Sequence, residues 1–600
     1  MTTTMRKAAT LMLCLLLTAG LFTCAGGLNA GAAAAGDEVI VLYTNDVHTY
    51  IDNKETDDSG EEHPLLNYAS VAALKNELIA EGKNVLLVDD GDFSQGSAYG
   101  AMDEGASVIQ LMNAAGYDLA TLGNHEFDYG QARAFEIIDE AEFPIVSCNF
   151  YNVSDGSTVL APYEILQAGD VKIAFIGIST PETITKSTPV YFQDENGEYI
   201  YNFYGSGGAE ELYSAVQAAI DEVEGQADYI IALGHLGVDL SSAPCTSELV
   251  IQNTTGLDAF IDGHSHTVME EQIVQDKAGN DVVLTQTGSY LAAIGQMTID
   301  NGTIHTHLIT EYDAYDETVS ELTAAWVNTV NDELGVQIAE LASPLYMTDP
   351  DTGVRIARNH ETNSGDFIAD SIYYYLNERA GLSCDAAIIN GGGIRSDIDA
   401  GEYTYLSSKS VNPFGNVICL VEMTGQQLLD TLEKGAMYLG ETDPDTGNAA
   451  ENGGFMHVAG ITYTIDTRIP STVQTDDADL WVSGPSGEYR VRDVMIYNRE
   501  TGEFEPLDTE KTYTVGSYNY LLRNQGCGLT FLSDLNVVQD YILEDYLVLS
   551  EYAKDFAAGE DGIPVISSTG SPLAAYENYP IDYESLYGAG RIQILSESQS

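Results

Sequence analysis

From Val39 to about Glu311, short apolar runs alternate with longer stretches in which apolar residues recur every three or four positions. The runs Val39–Tyr43, Val85–Val88, Ile173–Ile178, Tyr229–Leu233 and Ala259–Ile261 are too short for helices and predict buried strands. Between them, Tyr68–Ala80, Ser107–Ala115 and Glu211–Val223 predict helices, and the alternation is that of an α/β domain. Further on, Leu322, Trp326, Val330 and Leu334 lie four apart and predict one face of a helix. A second mixed α/β domain follows, in which Ile368, Ile372, Tyr375 and Leu376 form the stripe of a helix that Gly381 ends. Six hundred residues exceed what a single core usually supports. The expected division is 36–315 for the first domain, 316–341 for a linker helix, 342–595 for the second domain and 596–600 for a tail.

The polar residues that follow the apolar runs carry most of the information. Val39–Tyr43 leads into Asp46-Val47-His48, Val85–Val88 into Gly91-Asp92, and Leu119–Leu122 into Gly123-Asn124-His125-Glu126. Tyr229–Leu233 leads into Gly234-His235, and Ala259–Ile261 into Gly263-His264-Ser265-His266. In an open α/β sheet these side chains sit just beyond the carboxyl ends of strands, where such folds assemble their sites. A single Gly-Asp is an ordinary turn. Five of the ten histidines at strand ends, His48, His125, His235, His264 and His266, are not ordinary. Asp, Asn and His together form a nitrogen and oxygen set suited to Zn²⁺, Mn²⁺ or a similar divalent ion. The seven candidates Asp46, His48, Asp92, Asn124, His235, His264 and His266 exceed the needs of one ion. Two ions sharing one carboxylate would use them and would clamp both oxygens of an in-line phosphoryl displacement. His305 and His307 alternate in an ordinary strand pattern and read as structural, while His63 and His457 carry no signal beyond surface or satisfied polar positions.

Charge narrows the partners. With 23 Lys plus Arg against 93 Asp plus Glu, the formal charge is −70, which repels nucleic-acid polymers and anionic membrane surfaces. An anionic substrate would therefore need metal ions and a few arginines to reverse the potential locally. Arg6 and Lys7 precede an apolar stretch at Leu11–Phe22 and small residues at 30–36, so residues 1–35 read as an export signal and the mature chain as secreted, periplasmic or held in the cell envelope. Leu21, Phe22 and Thr23 make a poor lipid-attachment site before Cys24. No other segment reads as transmembrane. Cys148, Cys245, Cys384, Cys419 and Cys527 are odd in number and scattered, which fits neither a disulfide framework nor a zinc finger.

At these motifs the sequence resembles the 5′-nucleotidase family of the calcineurin-like metallophosphoesterases, over roughly Val39–Leu595. The resemblance implies an N-terminal metallophosphoesterase α/β sandwich, a linker helix and a C-terminal substrate-binding α/β domain. It implies one ion held by Asp46, His48, Asp92 and His266, and another by Asp92, Asn124, His235 and His264. It gives His125 a role in stabilising or protonating the reacting phosphoryl group, with Asp128 orienting its ring.

The second domain carries Asn390-Gly391-Gly392-Gly393-Ile394-Arg395 after the run Ala386–Ile389, and later Asn412-Pro413-Phe414-Gly415-Asn416. Glycines such as Gly392 and Gly393 let backbone approach a ligand, and an adjacent arginine can pair with phosphate. By the resemblance, Phe414 and Tyr520 sandwich a nucleobase, Asn390 bonds its edge and Arg395 contacts phosphate. Two departures stand out. His360 occupies a position where relatives often have arginine, with Arg358 two residues earlier able to share its face if the segment is extended. Gln525-Gly526-Cys527-Gly528 places a thiol where relatives often have a ribose-binding aspartate, and a thiol is no carboxylate acceptor. Expected substrates are nucleoside 5′-monophosphates, 2′,3′-cyclic nucleotides or nucleotide sugars. The competing readings are a thiosulfate-ester hydrolase of the same superfamily and a non-catalytic surface binding protein.

Overall fold

The computed structural model describes residues 38–56, 62–194, 196–239, 242–442, 449–476, 478–540 and 542–596. The predicted signal segment 1–35 lies outside them. Two six-stranded sheets form the N-terminal half. In the first, the strands run in the order Thr303–Ile309, Ile294–Asp300, Val39–Thr44, Asn84–Asp89, Leu119–Thr121, Ile145–Val146. The last four are mutually parallel, and Val39–Thr44 pairs antiparallel with Ile294–Asp300. In the second the order is Val268–Gln275, Asp281–Thr287, Ala259–Asp262, Tyr229–His235, Val171–Ser179, Tyr163–Ala168, with the four inner strands parallel.

Alternation along the first strand shows how the layers form. Val39, Val41 and Tyr43 point between the sheets, where they meet Phe175, Ile231, Leu233 and Ile261. Ile40 and Leu42 point outward, onto a layer that includes Val71, Val108, Met112 and Phe127. Both faces are covered, so these strands read as continuous apolar runs. Because their parallel members share one direction, their carboxyl ends and the polar turns after them gather at one rim.

The helix Glu317–Leu334 packs Val319 and Val327 into the N-terminal core, and Trp326 donates from its indole to the Tyr99 carbonyl at 3.0 Å. It stops seven residues short of the expected linker. Gln337–Leu341 is a strand, paired with Gly401–Thr404 and Val565–Ile566. In the C-terminal half a five-stranded sheet runs in the order Met456–Ala459, Ala386–Asn390, Thr512–Tyr518, Ile418–Thr424, Asn536–Gln539. The helix Asn363–Tyr374 covers it and continues as a wider turn through Arg379. Gly381, at φ 66°, ends that run as the pattern predicted. A buried ionic cluster ties the chain's end to this domain. Arg591, 1% exposed, donates to Asp370 at 2.8 Å, and Glu361 accepts from the backbone N–H groups of Arg591 and Ile592. Among the described residues the five cysteines are free and no helix is long and apolar enough to cross a membrane.

His457 is fully buried, not at the surface. Its Nε2 donates to the Ala357 carbonyl at 2.8 Å, its Nδ1 has no partner, and Gly365 leaves room for its ring, since a Cβ there would lie 2.0 Å from Nδ1. Burial depresses its pKa from the usual 6.5 to about 4. The folded state therefore binds this proton less readily than the unfolded state. The neutral-ring contribution is present above pH 6.5 and is lost as pH falls toward 4, about 3 kcal/mol in all. His457→Gln is expected to flatten that part of the stability profile, read by urea unfolding of variant and parent at pH 7 and pH 4.

Candidate active site at the rim between the two halves

Three of the strand-end turns bend abruptly. Asp46, His48, Asp92, His264 and His266 all have positive φ, between 49° and 73°, a region non-glycine residues seldom occupy and that costs of order 1–3 kcal/mol each. Backbone bonds hold them there: Asp46 N–H donates to the Gly91 carbonyl at 3.0 Å and His48 N–H to the Asp92 carbonyl at 2.9 Å. Close approach does the rest. A Cβ on Gly123 would lie 2.2 Å from Asp92 Oδ1, and one on Gly263 would lie 2.7 Å from His235 Nδ1. The glycines of both motifs let ligand-type side chains press against neighbouring turns.

The result is a buried cluster. Asp92 Oδ2 lies 3.1 Å from His235 Nε2 and 3.8 Å from His48 Nε2. Asp46 Oδ1 lies 3.4 Å from His266 Nε2 and 3.8 Å from both His48 Nε2 and His235 Nε2. His48 and His266 bring their Nε2 atoms within 3.0 Å. Asp46, His48 and His266 form one group with ligand atoms within 4.8 Å of each other, and Asp92, His235 and His264 form another. A third such group, His48, Asp92 and His125, links them by sharing His48 with the first and Asp92 with the second.

The donor set fits divalent cations. His48 Nδ1 is 2.8 Å from the Gln95 carbonyl and His235 Nδ1 is 2.7 Å from that of Asp90, so each Nδ1 donates and each Nε2 faces the carboxylates. At His235 burial opposes charge on the ring, but Asp92 and Asp46 outweigh it and raise its pKa well above 6.5, so a cation at this Nε2 would take the place of a proton. His264 Nε2 meets Glu182 at 2.8 Å, which leaves Nδ1 as its other ring nitrogen. His235 Nε2 and Asn124 Oδ1 are buried without hydrogen-bond partners. Burial drives the pKa of His48 and His266 well below 6.5, and Arg395 pushes both the same way, with His125 acting on His48 and His48 on His266. Uncharged imidazoles at His48 and His266 beside buried carboxylates suit a cation.

His125 stands at the edge of this cluster. Its N–H donates to Asp92 Oδ1 at 2.8 Å and its Nδ1 meets Asp128 at 2.5 Å. Burial opposes charge on the ring, but Asp128 and Asp92 outweigh it and raise its pKa. The C-terminal half closes over the same cavity. Asp92, Asn124, His125, Asp128, His264 and His266 line it from one side, and Arg358, Asn390, Gly392, Gly393, Arg395, Phe414 and Tyr520 from the other. Asp46, His48 and His235 lie beneath its floor, each 0% exposed. The Phe414 ring is 5.9 Å from the His125 ring, and Arg395 lies 5.5 Å from the Phe414 centroid. Tyr520 donates to the Thr185 carbonyl of the opposite half at 3.1 Å, and Tyr50 donates to the Arg395 carbonyl at 3.0 Å. Arg358 Nε, Arg395 Nη2 and Asn390 Oδ1 are buried in the lining without partners.

His360 is elsewhere. Its N–H donates to the Ile356 carbonyl in a turn, so it does not share a face with Arg358 and instead lines a separate cavity beside Tyr587. His305 and His307 are exposed and meet Glu271 and Glu270 at 3.3 and 3.1 Å. Residues that sequence reasoning passed over hold the turns in place. Glu126 accepts from the backbone of Asp92, Phe93, Ser94 and Gly123 at 2.7–3.1 Å, joining two ligand-bearing turns through one carboxylate. Asp262 accepts from Leu236 and Gly237 N–H. Both adjoin motif residues, which was the only signal available.

Residues 40–268 match the family model of the calcineurin-like phosphoesterases, and residues 337–534 that of the 5′-nucleotidase C-terminal domain. The chain joins these two domains. It is 28% identical to the 5′-nucleotidase of Homo sapiens over 566 residues, 87% of this chain and 89% of that protein. It is 26% identical to the trifunctional nucleotide phosphoesterase YfkN of Bacillus subtilis, covering 86% of this chain and 34% of that longer protein. A crystal structure of a 5′-nucleotidase precursor from Thermus thermophilus superposes over 93% of this chain and all of its own, with a TM-score of 0.72 and 25% identity. The two-domain α/β architecture is thus that of the 5′-nucleotidases, and the chain is a metal-dependent phosphoric ester hydrolase whose fold implies divalent ions.

Glu126 is the bracing residue to test. Glu126→Gln turns one acceptor into an NH₂ group facing backbone N–H donors, and metal affinity is expected to fall roughly ten- to a hundredfold with secondary structure intact. Chelator competition followed by metal analysis, with circular dichroism alongside, reads both.

Proposed function

We propose that this protein releases phosphate from nucleotides, with two divalent ions, Zn²⁺ or Mn²⁺ in character, held in its N-terminal half and the nucleoside held in its C-terminal half. The observation that carries this reading is one cavity faced by the ligand cluster on one side and, on the other, by two arginines with buried nitrogens lacking hydrogen-bond partners and by aromatic rings. Asp46, His48, Asp92 and His266 would hold one ion, and Asp92, Asn124, His235 and His264 the other. When bound, the ions supply Lewis-acid polarisation of phosphoryl oxygens and activation of water near neutral pH.

The chain's own residues account for the rest. Arg358 and Arg395 pair with the phosphate oxygens and offset the −70 charge of the chain at this point. Burial, with Arg355 and Arg395 nearby, lowers the Arg358 pKa to about 9, so the guanidinium groups are crowded and favour an anion between them. His125, held by Asp128, donates to the phosphoryl group or to the leaving oxygen as negative charge develops there. Phe414 and Tyr520 offer ring faces to a base, and Asn390 Oδ1 accepts from its edge. Gly392 and Gly393 permit close approach of the backbone. For the organisation of the chain, we propose that residues 1–35 direct export and are removed, and that 36–315 is one working domain, joined through the helix Glu317–Leu334 to a second that begins with the strand Gln337–Leu341 and extends to 595.

Two measurements decide this reading. Phosphate release is assayed over nucleoside 5′-monophosphates, 2′,3′-cyclic nucleotides and nucleotide sugars, with Mn²⁺ or Zn²⁺ and then with chelator. Release that depends on metal is expected, and none from any ester would end the proposal. His125→Ala is expected to lower kcat roughly 10²- to 10⁴-fold while bound metal stays at the parent level. Full activity in that variant would remove His125 from the chemistry.

A further inference from the structure

The C-terminal side of the cavity holds a buried carboxylate oxygen outside both the ligand cluster and the glycine turn. We propose that Asp479 is a specificity-determining residue whose Oδ1 accepts a hydrogen bond from a donor on the substrate's nucleoside part, a sugar hydroxyl or a base amino group. The proposal rests on the nucleotide reading above.

Asp479 lines the cavity beside Cys527 and Tyr520. Its Oδ2 accepts from the Lys434 ammonium at 2.9 Å, and this lysine is only 4% exposed, so the carboxylate is held in one orientation. The other oxygen, Oδ1, is buried with no hydrogen-bond partner. Among the described lining residues the buried acceptors without partners are Asn124 Oδ1, Asn390 Oδ1 and Asp479 Oδ1. The first belongs to the ligand cluster and the second to the glycine turn, so Asp479 supplies the one charged acceptor among them. A buried carboxylate oxygen left without a donor is costly, and a ligand donor relieves that cost.

The local backbone is built to place it. Asp479 has φ 58°, and its N–H donates to the Asp476 carbonyl at 3.0 Å. Asp476 Oδ1 accepts from Ala478 and Leu480 N–H on either side. The Asp479 carbonyl presses on Gly528, where a Cβ would lie 2.1 Å from its oxygen. On the far side, the Ala478 carbonyl accepts from Thr185 of the N-terminal half at 3.0 Å. The segment is therefore wedged between the Gly526-Cys527-Gly528 turn and the catalytic domain. That turn offers a thiol, whose pKa burial raises, and no carboxylate of its own. Asp479 brings one to the same place from a different loop.

The test is steady-state kinetics of parent, Asp479→Asn and Asp479→Ala on adenosine, 2′-deoxyadenosine, 2′,3′-dideoxyadenosine and inosine 5′-monophosphates. Asparagine tolerates the positive φ, and Lys434 would take its amide oxygen and leave the NH₂ group facing the cavity, which removes the acceptor without removing the shape. In both variants KM for adenosine 5′-monophosphate is expected to rise roughly ten- to a hundredfold with kcat within about twofold of parent. Discrimination against the dideoxy substrate collapses if the donor is a sugar hydroxyl, and discrimination against inosine collapses if it is the base amino group. Calorimetric binding of adenosine alone, weaker in Asp479→Asn than in parent, reads the same contact without catalysis. Unchanged KM and unchanged adenosine binding in both variants, with an active parent, would overturn the assignment. An inactive parent would instead overturn the nucleotide reading, and this inference with it.

Discussion

Two carboxylates, Asp46 and Asp92, sit at zero to 1% exposure within 4 Å of the same set of imidazole nitrogens, and the rest of the molecule is arranged around that crowding. Buried like charges are unfavourable unless a cation or protons offset them. Burial already raises the Asp46 pKa to about 6. The structure sustains this arrangement with left-handed backbone at five ligand-type residues, with glycines that admit side chains against neighbouring turns, and with Glu126 and Asp262 accepting the backbone N–H groups that those turns leave over. Strain of this kind persists only where the surroundings over-determine it. Two sheets whose parallel strands share a direction supply such surroundings, because they deliver the turns to a common rim.

The second half of the chain answers a different problem. A protein with a formal charge of −70 repels the anions it would act on, and the correction has to be local. Arg355, Arg358 and Arg395 converge near the cavity with Glu451 as the carboxylate that meets the first two, at 2.5 and 3.9 Å. Three side-chain hydrogen bonds join the halves at the site: Tyr50 to Arg395, Tyr520 to Thr185, Thr185 to Ala478. Each joins a backbone carbonyl to a side chain, so the cavity's walls are held in register by groups adjacent to the residues that line it.

Much of this was legible in the sequence because strand ends and glycine turns are local signals. The runs Val39–Tyr43 and Tyr229–Leu233, the Gly-Asn-His-Glu and Gly-His-Ser-His turns, and the Asn390–Arg395 turn each declare themselves within a few residues. So did the helix ending at Gly381. The short strand Gln337–Leu341 did not, because its partners Gly401–Thr404 and Val565–Ile566 are far away in sequence and its own five residues also fit the tail of a helical pattern.

What the sequence by itself determined was the chemistry on offer: an α/β order, a nitrogen and oxygen ligand set at strand ends, a glycine turn with an arginine, and a charge that repels polyanions. What only the tertiary structure decided was which groups meet. It separated His360 from Arg358 by a turn, buried His457 in the core, and made Glu126 the brace of two distant turns. It also set Asp479 beside Cys527 from a loop nearly fifty residues earlier. The physical reason is that a side chain's chemistry is carried by its type, whereas hydrogen-bond partners and burial depend on contacts between residues remote in the chain, and no local pattern encodes those.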